Sequence, residues 1–426
     1  MKSPEFVCRE GKGHFSFHHS SIEASFALYR TPYWIGIITK EGFSYETAVR
    51  LIQEKVPVQL AGTLNDGKPI KADALLLTKT NPPGNTAGVE FTALEGVFLG
   101  QAGDDVPIKS TYPLTGCFNG EIALSHDGWE ISTTPCSEPD ITKDLVEKWR
   151  IPVEGMDLHL KCDGAVMEQH QDFARVVMTL LSLALGTGIA CDRQVFAWAN
   201  EELEIWSQWT GDEIGPGAIV PDYQLAKYLD QTLPVWLSLS PSQQKALRLA
   251  RDYINLSARG YLDTRLLQIF QPWEFLVDAW GIKGNLCESE SCLRTQLLQT
   301  RKQWNHDHSN CDVDGFWGSR ISVIFDWPKL KDAIIQLATG FGLNCNLVGL
   351  DFDVLNEARN SVAHSGKLAA HSSTNKNHLS NLLQKGQYCL QLLILQMLKY
   401  QGKVNHSKNG ILSIVDIEDA LKTVRT

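Results

Sequence analysis

Residues 351–366 read Asp-Phe-Asp-Val-Leu-Asn-Glu-Ala-Arg-Asn-Ser-Val-Ala-His-Ser-Gly. Within this stretch, Leu355, Ala358 and Val362 recur at the three- and four-residue spacing of one buried helical face. Gly366 then supplies a stop signal for the helix. The stretch therefore predicts an amphipathic helix that ends close to residue 365 and buries one apolar stripe.

Three polar side chains lie off the apolar stripe, namely Arg359, Asn360 and His364. Asn360 and His364 are four residues apart, so they project from the same side of a helix. Arg359 and His364 are five residues apart, which separates them by about 140° around an ideal helix. They meet in one cleft only if the helix end is distorted or the cleft wraps around it. Arginine is a planar fork for phosphate and histidine exchanges protons near neutral pH, so the pair suits phosphodiester cleavage.

The spacing of an arginine and a histidine five residues later carries little information alone. It occurs three times in the chain, at Arg9/His14, Arg301/His306 and Arg359/His364. The first pair lies in a glycine-rich stretch without helical context, and the second lacks the following asparagine and a small residue before the histidine. Only the third reads Arg-Asn-x-x-Ala-His on an apolar-striped helix, and the plain alternative is that its polar residues are a solvated surface.

The charge distribution is more informative than the net charge of −10, which argues against a generic nucleic-acid coat. No Asp or Glu occurs between Ala358 and Gly410, where this composition would place about six. Lys367, Lys376 and Lys385 lie in this segment and are the predicted RNA-binding residues. A chance pair of charge-poor helices is the alternative explanation.

The pattern of the whole chain predicts an α+β multidomain protein with a β-rich N-terminal region and a C-terminal all-α helical bundle. Alternating and β-branched segments, separated by turn signals such as Asn65-Asp66-Gly67, predict an antiparallel sandwich or open barrel at the N-terminus. Ser240-Pro241-Ser242 marks the start of the helices. The predicted domains are a β-rich domain at 1–135, a mixed α/β region at 136–239, a helical domain at 240–402 and a tail at 403–426.

Several local elements are predicted within these regions. Residues 41–55 and 140–149 each predict a helix, and 120–133 predicts a hairpin that turns at His126-Asp127. The pattern of residues 195–209 fits either a strand pair or a helix. The longest apolar run, residues 176–190, is short for a membrane span, and no apolar signal core follows the N-terminus. We therefore expect a cytoplasmic protein with no membrane partner, in which the ten cysteines are reduced.

Two further sets of residues have chemical potential. Glu274 is a polar residue within an apolar helical pattern, and either Arg359 or a surface lysine is a suitable partner for it. A zinc site is a weaker alternative, because its five ligands would have irregular spacing. These ligands would be Cys287, Cys292, His306, His308 and Cys311. Buried thiols and surface histidines explain the same residues without a metal.

The motif from Leu355 to Gly366, followed by a loop and a long apolar helix, resembles the HEPN domain of bacterial defence and toxin ribonucleases. The resemblance covers about residues 240–400, and its specific part is the Arg-Asn-x-x-Ala-His core. A β-rich region before such a domain is similar in architecture to the ApeA type of anti-phage HEPN protein.

This resemblance implies a four- or five-helix bundle and a homodimer that brings two copies of the motif together. It implies metal-independent cleavage of RNA, often of tRNA anticodon loops. We expect no cofactor, and the sequence does not reveal the trigger, for which a phage-derived molecule is one candidate. His364 would then move the protons, Arg359 would hold the phosphate, and Asn360 would orient the histidine or close the dimer interface. A HEPN-like module that binds RNA or a nucleotide without cleaving it is the alternative function.

Overall fold

The structure is a computed structural model with two compact units. The first unit comprises residues 1–181 and 188–213, and the second comprises 182–187 and 214–426. The structure describes residues 9–30, 35–80, 87–115, 120–135, 154–189, 191, 193–207, 215–282, 292–293, 295–297, 299–300, 302–303, 330–343, 352–365, 376–408 and 411–423.

The first unit is built from antiparallel strands. Its strands in the described ranges are Arg9–Phe17 (β1), Ser20–Arg30 (β2), Ile35–Phe43 (β3), Val58–Leu64 (β4), Pro69–Thr80 (β5), Ala87–Ala93 (β6), Val97–Gly100 (β7), Lys109–Thr115 (β8), Ala123–His126 (β9), Trp129–Pro135 (β10), Glu154–Lys161 (β11), Arg193–Ala197 (β12) and Glu202–Trp206 (β13). Helix α1, Tyr45–Glu54, lies between β3 and β4. Helix α2, Met167–Leu185, begins in this unit, and its last residues belong to the second.

Six of these strands form a closed barrel. Their order is β4-β1-β2-β3-β6-β5, and β4 pairs with β5 as well as with β1, so the sheet returns on itself. The other seven strands continue from β5 in the order β7-β13-β12-β8-β11-β10-β9. Because closure pairs both edges of a sheet, the barrel strands are protected from pairing with other chains.

Aromatic side chains fill the barrel. Phe15 lies 5.2 Å from Phe91 and 5.6 Å from Phe43, measured between ring centroids, and all three rings are fully buried. Helix α1 adds Ala48 and Leu51 to this core. Alternation along the strands places these apolar residues inside and the polar residues outside, which is the period-two pattern of the sequence.

The second unit is largely helical. Its helices in the described ranges are Leu225–Ser238 (α3), Pro241–Ser257 (α4), Leu262–Ala279 (α5), Leu330–Gly340 (α6), Phe352–Ser365 (α7), Lys376–Met397 (α8) and Ile417–Thr423 (α9). Ser240 caps α4 through a reciprocal pair of bonds with Gln243, so the predicted helix start is confirmed. Helix α5 packs against α4, α6, α7 and α8.

A two-stranded antiparallel sheet completes the second unit. Strand β14, Lys403–Lys408, pairs with β15, Ile411–Asp416, and α9 packs on both strands. The amide of Asn405 donates to the carbonyl of Ile219 at 2.8 Å, which fastens β14 to the rest of the unit.

The predicted fold class is wrong, although strands first and helices afterwards is partly consistent with it. The N-terminal strands make a closed barrel with extra strands rather than a sandwich or open barrel, because β4 bonds to two neighbours. Sandwiches and barrels share the same period-two pattern, so the pattern does not distinguish them. The segment that was predicted only as a tail is structured, because residues 403–408 form β14 and residues 411–416 form β15.

Several local predictions are confirmed. The hairpin β9–β10 turns through Asp127 and Gly128, both with positive φ, which matches the twist of paired strands. Residues 195–207, part of the segment where the pattern allowed two interpretations, contain the end of β12 and the whole of β13, which pair with each other. The helix predicted at 140–149 lies outside the described residues. Among the residues that are described, no helix is both long enough and apolar enough to cross a membrane.

Candidate active site

Helix α7 places the Arg-Asn-x-x-Ala-His sequence on one continuous helix. Leu355, Ala358 and Val362 are buried, so the predicted apolar stripe is confirmed. The helix packs against α5 and α8 and ends at Ser365. Arg359 directly follows the buried Ala358, and its side chain lies at the border between the core and the solvent.

Two residues of α5, one helical turn apart, hold the guanidinium group of Arg359. Its Nη2 atom donates to Oε1 of Glu274 at 2.7 Å, and its Cζ atom lies 5.4 Å from the ring centroid of Phe270. The side chains of Arg359 and Glu274 keep 26% and 27% of their accessible surface. The arginine is therefore oriented by a carboxylate and a ring but remains reachable from the solvent.

This contact decides between the two partners that the sequence offered Glu274. It is Arg359, not a surface lysine, that bonds to the carboxylate. Within the described part of the chain, Nη2 is the guanidinium atom that bonds to a protein acceptor. The remaining N–H groups of the fork are thus available to an anionic oxygen.

The other predicted site residues are placed to different extents. Asn360 is exposed on α7, and Lys385 is exposed on α8. His364 and Lys376 lie within α7 and α8, while their side chains lie outside the described part, as does the whole of Lys367. The backbone thus puts Asn360 and His364 one turn apart, and the prediction that Arg359 and His364 share one phosphate stays a prediction.

The zinc alternative falls almost entirely on residues outside the description. Cys287, His306, His308 and Cys311 lie there, and Cys292 is an exposed free thiol. Among the residues that the structure does describe, no three His, Cys, Asp or Glu side chains come together in a way that suits a metal ion.

A buried serine–histidine pair in the first unit has nucleophile-and-base composition but the wrong location. Ser110 Oγ lies 2.7 Å from His170 Nδ1, and both side chains are fully buried. Burial also lowers the pKa of His170 below its usual value. Because a substrate cannot reach either group, we interpret the pair as part of the packing between α2 and β8.

A second group that sequence reasoning missed is the carboxylate of Glu204 in the first unit. Its side chain is 4% exposed and lies 3.0 Å from Nη2 of Arg9 and 3.6 Å from Nη1 of Arg193. The indole Nε1 of Trp206 also donates to it. Only the tertiary fold reveals this cluster, because Arg9 and Glu204 lie on β1 and β13, far apart in the chain.

Comparison of the chain with protein-family models, with curated proteins and with solved structures gives no match. The candidate site therefore has to be interpreted from its own residues.

Proposed function

We propose that this protein is an endoribonuclease of the HEPN type that cleaves RNA without a metal ion. The observation that carries the proposal is the state of Arg359 in the Arg-Asn-x-x-Ala-His sequence. A carboxylate and an aromatic ring orient its guanidinium group, yet a quarter of the side chain stays exposed. A fork that is both oriented and reachable suits the binding of a phosphodiester.

The chemistry needs no metal because RNA carries its own nucleophile, the 2′-hydroxyl. In the proposed reaction, His364 removes the proton of this hydroxyl or protonates the leaving 5′-oxygen. The 2′-oxygen bonds to phosphorus while the bond to the 5′-oxygen breaks, which leaves a cyclic phosphate and a 5′-hydroxyl. Arg359 offsets the negative charge that builds up on the phosphate oxygens.

One histidine does not serve easily as both base and acid, so the proposal includes a homodimer that supplies a second His364. Asn360 orients the histidine or closes the dimer interface. In the proposal, successive phosphates of the RNA strand are bound by Lys367, Lys376 and Lys385. The setting that we propose is cytoplasmic bacterial defence against phage, or a toxin, with tRNA as the first substrate to test and the β-rich unit as the sensor or restraint.

The test compares the wild type with Arg359→Ala and His364→Ala on total RNA and on tRNA, with EDTA present. We expect each variant to lose cleavage by at least about 100-fold, because each removes a group that acts on the transition state. Arg301→Ala is the matched control, since it removes the arginine of another arginine–histidine pair with the same spacing. Cleavage by the wild type that His364→Ala leaves unchanged would overturn the proposal.

The second candidate function is RNA binding without cleavage, and the ion pair between Arg359 and Glu274 favours it. A carboxylate already compensates the arginine, as in a cross-link between helices that serves only the fold. This alternative predicts RNA binding that weakens with added salt, together with intact RNA in every variant. Growth inhibition on overexpression that persists in His364→Ala would also support it.

A further inference from the structure

We infer that β15 is a dimerisation strand, and that its outer edge pairs antiparallel with β15 of a second copy of this chain. The inference starts from the C-terminal hairpin, defined as the antiparallel pair of β14 and β15. The inference goes beyond the proposed function, and its evidence comes from the hairpin alone.

The two edges of the hairpin differ in their hydrogen bonding. On the β14 side, the amide of Asn405 donates to the carbonyl of Ile219, and its side-chain amide donates to the carbonyl of Ala218 at 3.0 Å. On the β15 side, residues 411–416 make no main-chain bond outside the hairpin to any described part of the chain. The edge of β15 thus offers an open row of donors and acceptors.

The two faces of the hairpin also differ. Val404 and the α9 residues Ile417 and Ala420 are buried, so α9 covers one face. On the other face Leu412 is 70% exposed and Ile414 is 48% exposed. Two neighbouring apolar residues on a strand edge form a small unpartnered patch.

The sequence of β15 lacks the usual protection of an edge strand. Natural edges carry lysine, proline or a bulge that prevents pairing with another chain. Residues 411–415 are Ile, Leu, Ser, Ile and Val, and a charge first occurs at Asp416. The strand is therefore suited to pairing rather than protected from it.

Charge selects a second copy in the antiparallel direction. The end of the hairpin where α9 begins carries Asp416, Glu418 and Asp419 beside Lys403, which pairs with Asp416 at 3.8 Å, and Lys408 lies at the opposite end of β14. An antiparallel pair of β15 strands puts the acidic end of each copy beside the end of the other copy that carries Lys408. A parallel pair would oppose acid to acid, so the two-fold arrangement is the one that the charges favour.

The register follows from the side chains. A two-fold axis through Ser413 places Leu412 of one copy opposite Ile414 of the other, and it does so twice. A shift by one residue toward Asp416 would oppose that carboxylate to Leu412 instead. The Ser413-centred register therefore gives two apolar cross-strand pairs on the exposed face and leaves no charge opposite an apolar residue.

The expected dimer is weak, because one strand pair buries less than the roughly 1,200 Å² of a stable interface. We expect a dissociation constant on the order of micromolar. Association should therefore depend on protein concentration, which makes the interface measurable by light scattering or sedimentation.

A charge swap tests the inference with the whole chain. One variant combines Leu412→Lys with Ile414→Lys, and another combines Leu412→Glu with Ile414→Glu. Each alone opposes like charges across the axis, so we expect the dissociation constant to rise at least about 10-fold. Mixing the two variants opposes Lys to Glu in the Ser413-centred register and should restore a mixed dimer.

The control combines Leu237→Lys with Tyr261→Lys, which removes two other exposed apolar residues of the second unit and should leave the dimer intact. Thermal unfolding of each variant checks that the fold is kept. A wild type that stays monomeric at about 100 μM, a dimer insensitive to the Lys pair, or a mixture that does not associate would each overturn the inference. A dimer that responds to the charge swap but cleaves no RNA would contradict the proposed nuclease activity and support the inferred interface.

Discussion

Two carboxylates, one in each unit, are held by an arginine that lies over an aromatic ring. In the first unit, Glu204 bonds to Arg9, whose guanidinium lies 5.6 Å from the ring centroid of Trp206. Arg193 and the indole nitrogen add two further contacts to the same carboxylate. Glu204 is almost completely buried, so these partners replace the water that would otherwise bond to its carboxylate.

In the second unit, Glu274, Arg359 and Phe270 repeat the arrangement with fewer contacts. The carboxylate bonds to one arginine only among the described residues, and both charged side chains keep about a quarter of their surface. Such a pair is separated at modest cost, because water partly replaces each partner.

The difference between the clusters teaches how to tell a structural arginine from one that is available to a ligand. Both clusters join a glutamate to an arginine that lies over an aromatic ring, so that arrangement alone does not discriminate between them. Burial of the carboxylate and the number of its partners do. By this criterion the Glu204 cluster belongs to the fold of the first unit, and the Glu274 cluster is the one in which we propose that a phosphate replaces the carboxylate.

The largest effect that we expect is the loss of stability in Glu204→Ala. The change leaves Arg9 and Arg193 without their carboxylate and the Trp206 indole without its acceptor. We expect the unfolding free energy of the first unit to fall by about 2–4 kcal/mol, since both arginines keep some solvent. Urea unfolding followed by tryptophan fluorescence and circular dichroism measures the change.

Glu202→Ala is the matched control, on the same strand. Glu202 pairs with Lys68 at 2.9 Å, and both side chains are well exposed. We expect a loss of less than about 1 kcal/mol there. If Glu202→Ala costs as much as Glu204→Ala, burial is not what separates the two clusters.

An intermediate effect is expected for Glu274→Ala. Loss of the half-buried pair should lower the unfolding free energy by about 1–2 kcal/mol. Removal of the competing carboxylate should at the same time leave RNA binding by Arg359 unchanged or tighter. Filter binding at two salt concentrations, next to urea unfolding, measures both quantities. A variant that binds RNA more weakly while it stays folded would show that Glu274 supports the ligand site rather than competes with it.

Local features of the fold were predictable because neighbouring residues determine them. Asp127-Gly128 adopts positive φ and makes the hairpin turn, and Ser240 with Gln243 forms a capping box. Closure of the barrel was not predictable, because it depends on β4 bonding to both β1 and β5 in register. The C-terminal hairpin was missed because Val404 is the one apolar residue among residues 403–408. That segment therefore lacks the alternation of apolar and polar residues that predicts a strand.

The candidate site also combines features that the local sequence determines with features that depend on the tertiary fold. Spacing alone predicted the buried stripe of α7 and put Arg359 outside it. The partner of Arg359 lies 85 residues earlier in the chain, so a local pattern offered Glu274 only as one of several possibilities. Arg9 shows the opposite case. It was set aside as part of an arginine–histidine spacing, and its pairing with Glu204 depends on β1 and β13, which the sequence does not connect.

We expect the smallest effect on stability when either of the two arginines is replaced by lysine. The same two substitutions separate most clearly an arginine that binds a ligand from one that only holds a carboxylate. Arg9→Lys and Arg359→Lys each keep the charge and lose the planar fork, so each should cost less than about 1 kcal/mol of unfolding free energy. A carboxylate accepts a lysine in place of an arginine, whereas a phosphate in a transition state depends on the paired donors of the fork. We therefore expect RNA cleavage to fall at least about 10-fold in Arg359→Lys and to stay unchanged in Arg9→Lys. Cleavage rates on one RNA substrate, measured beside urea midpoints, give both values. Equal cleavage by the two variants would mean that Arg359, like Arg9, is used only to hold a carboxylate, because the exposed quarter of its side chain would then serve no ligand.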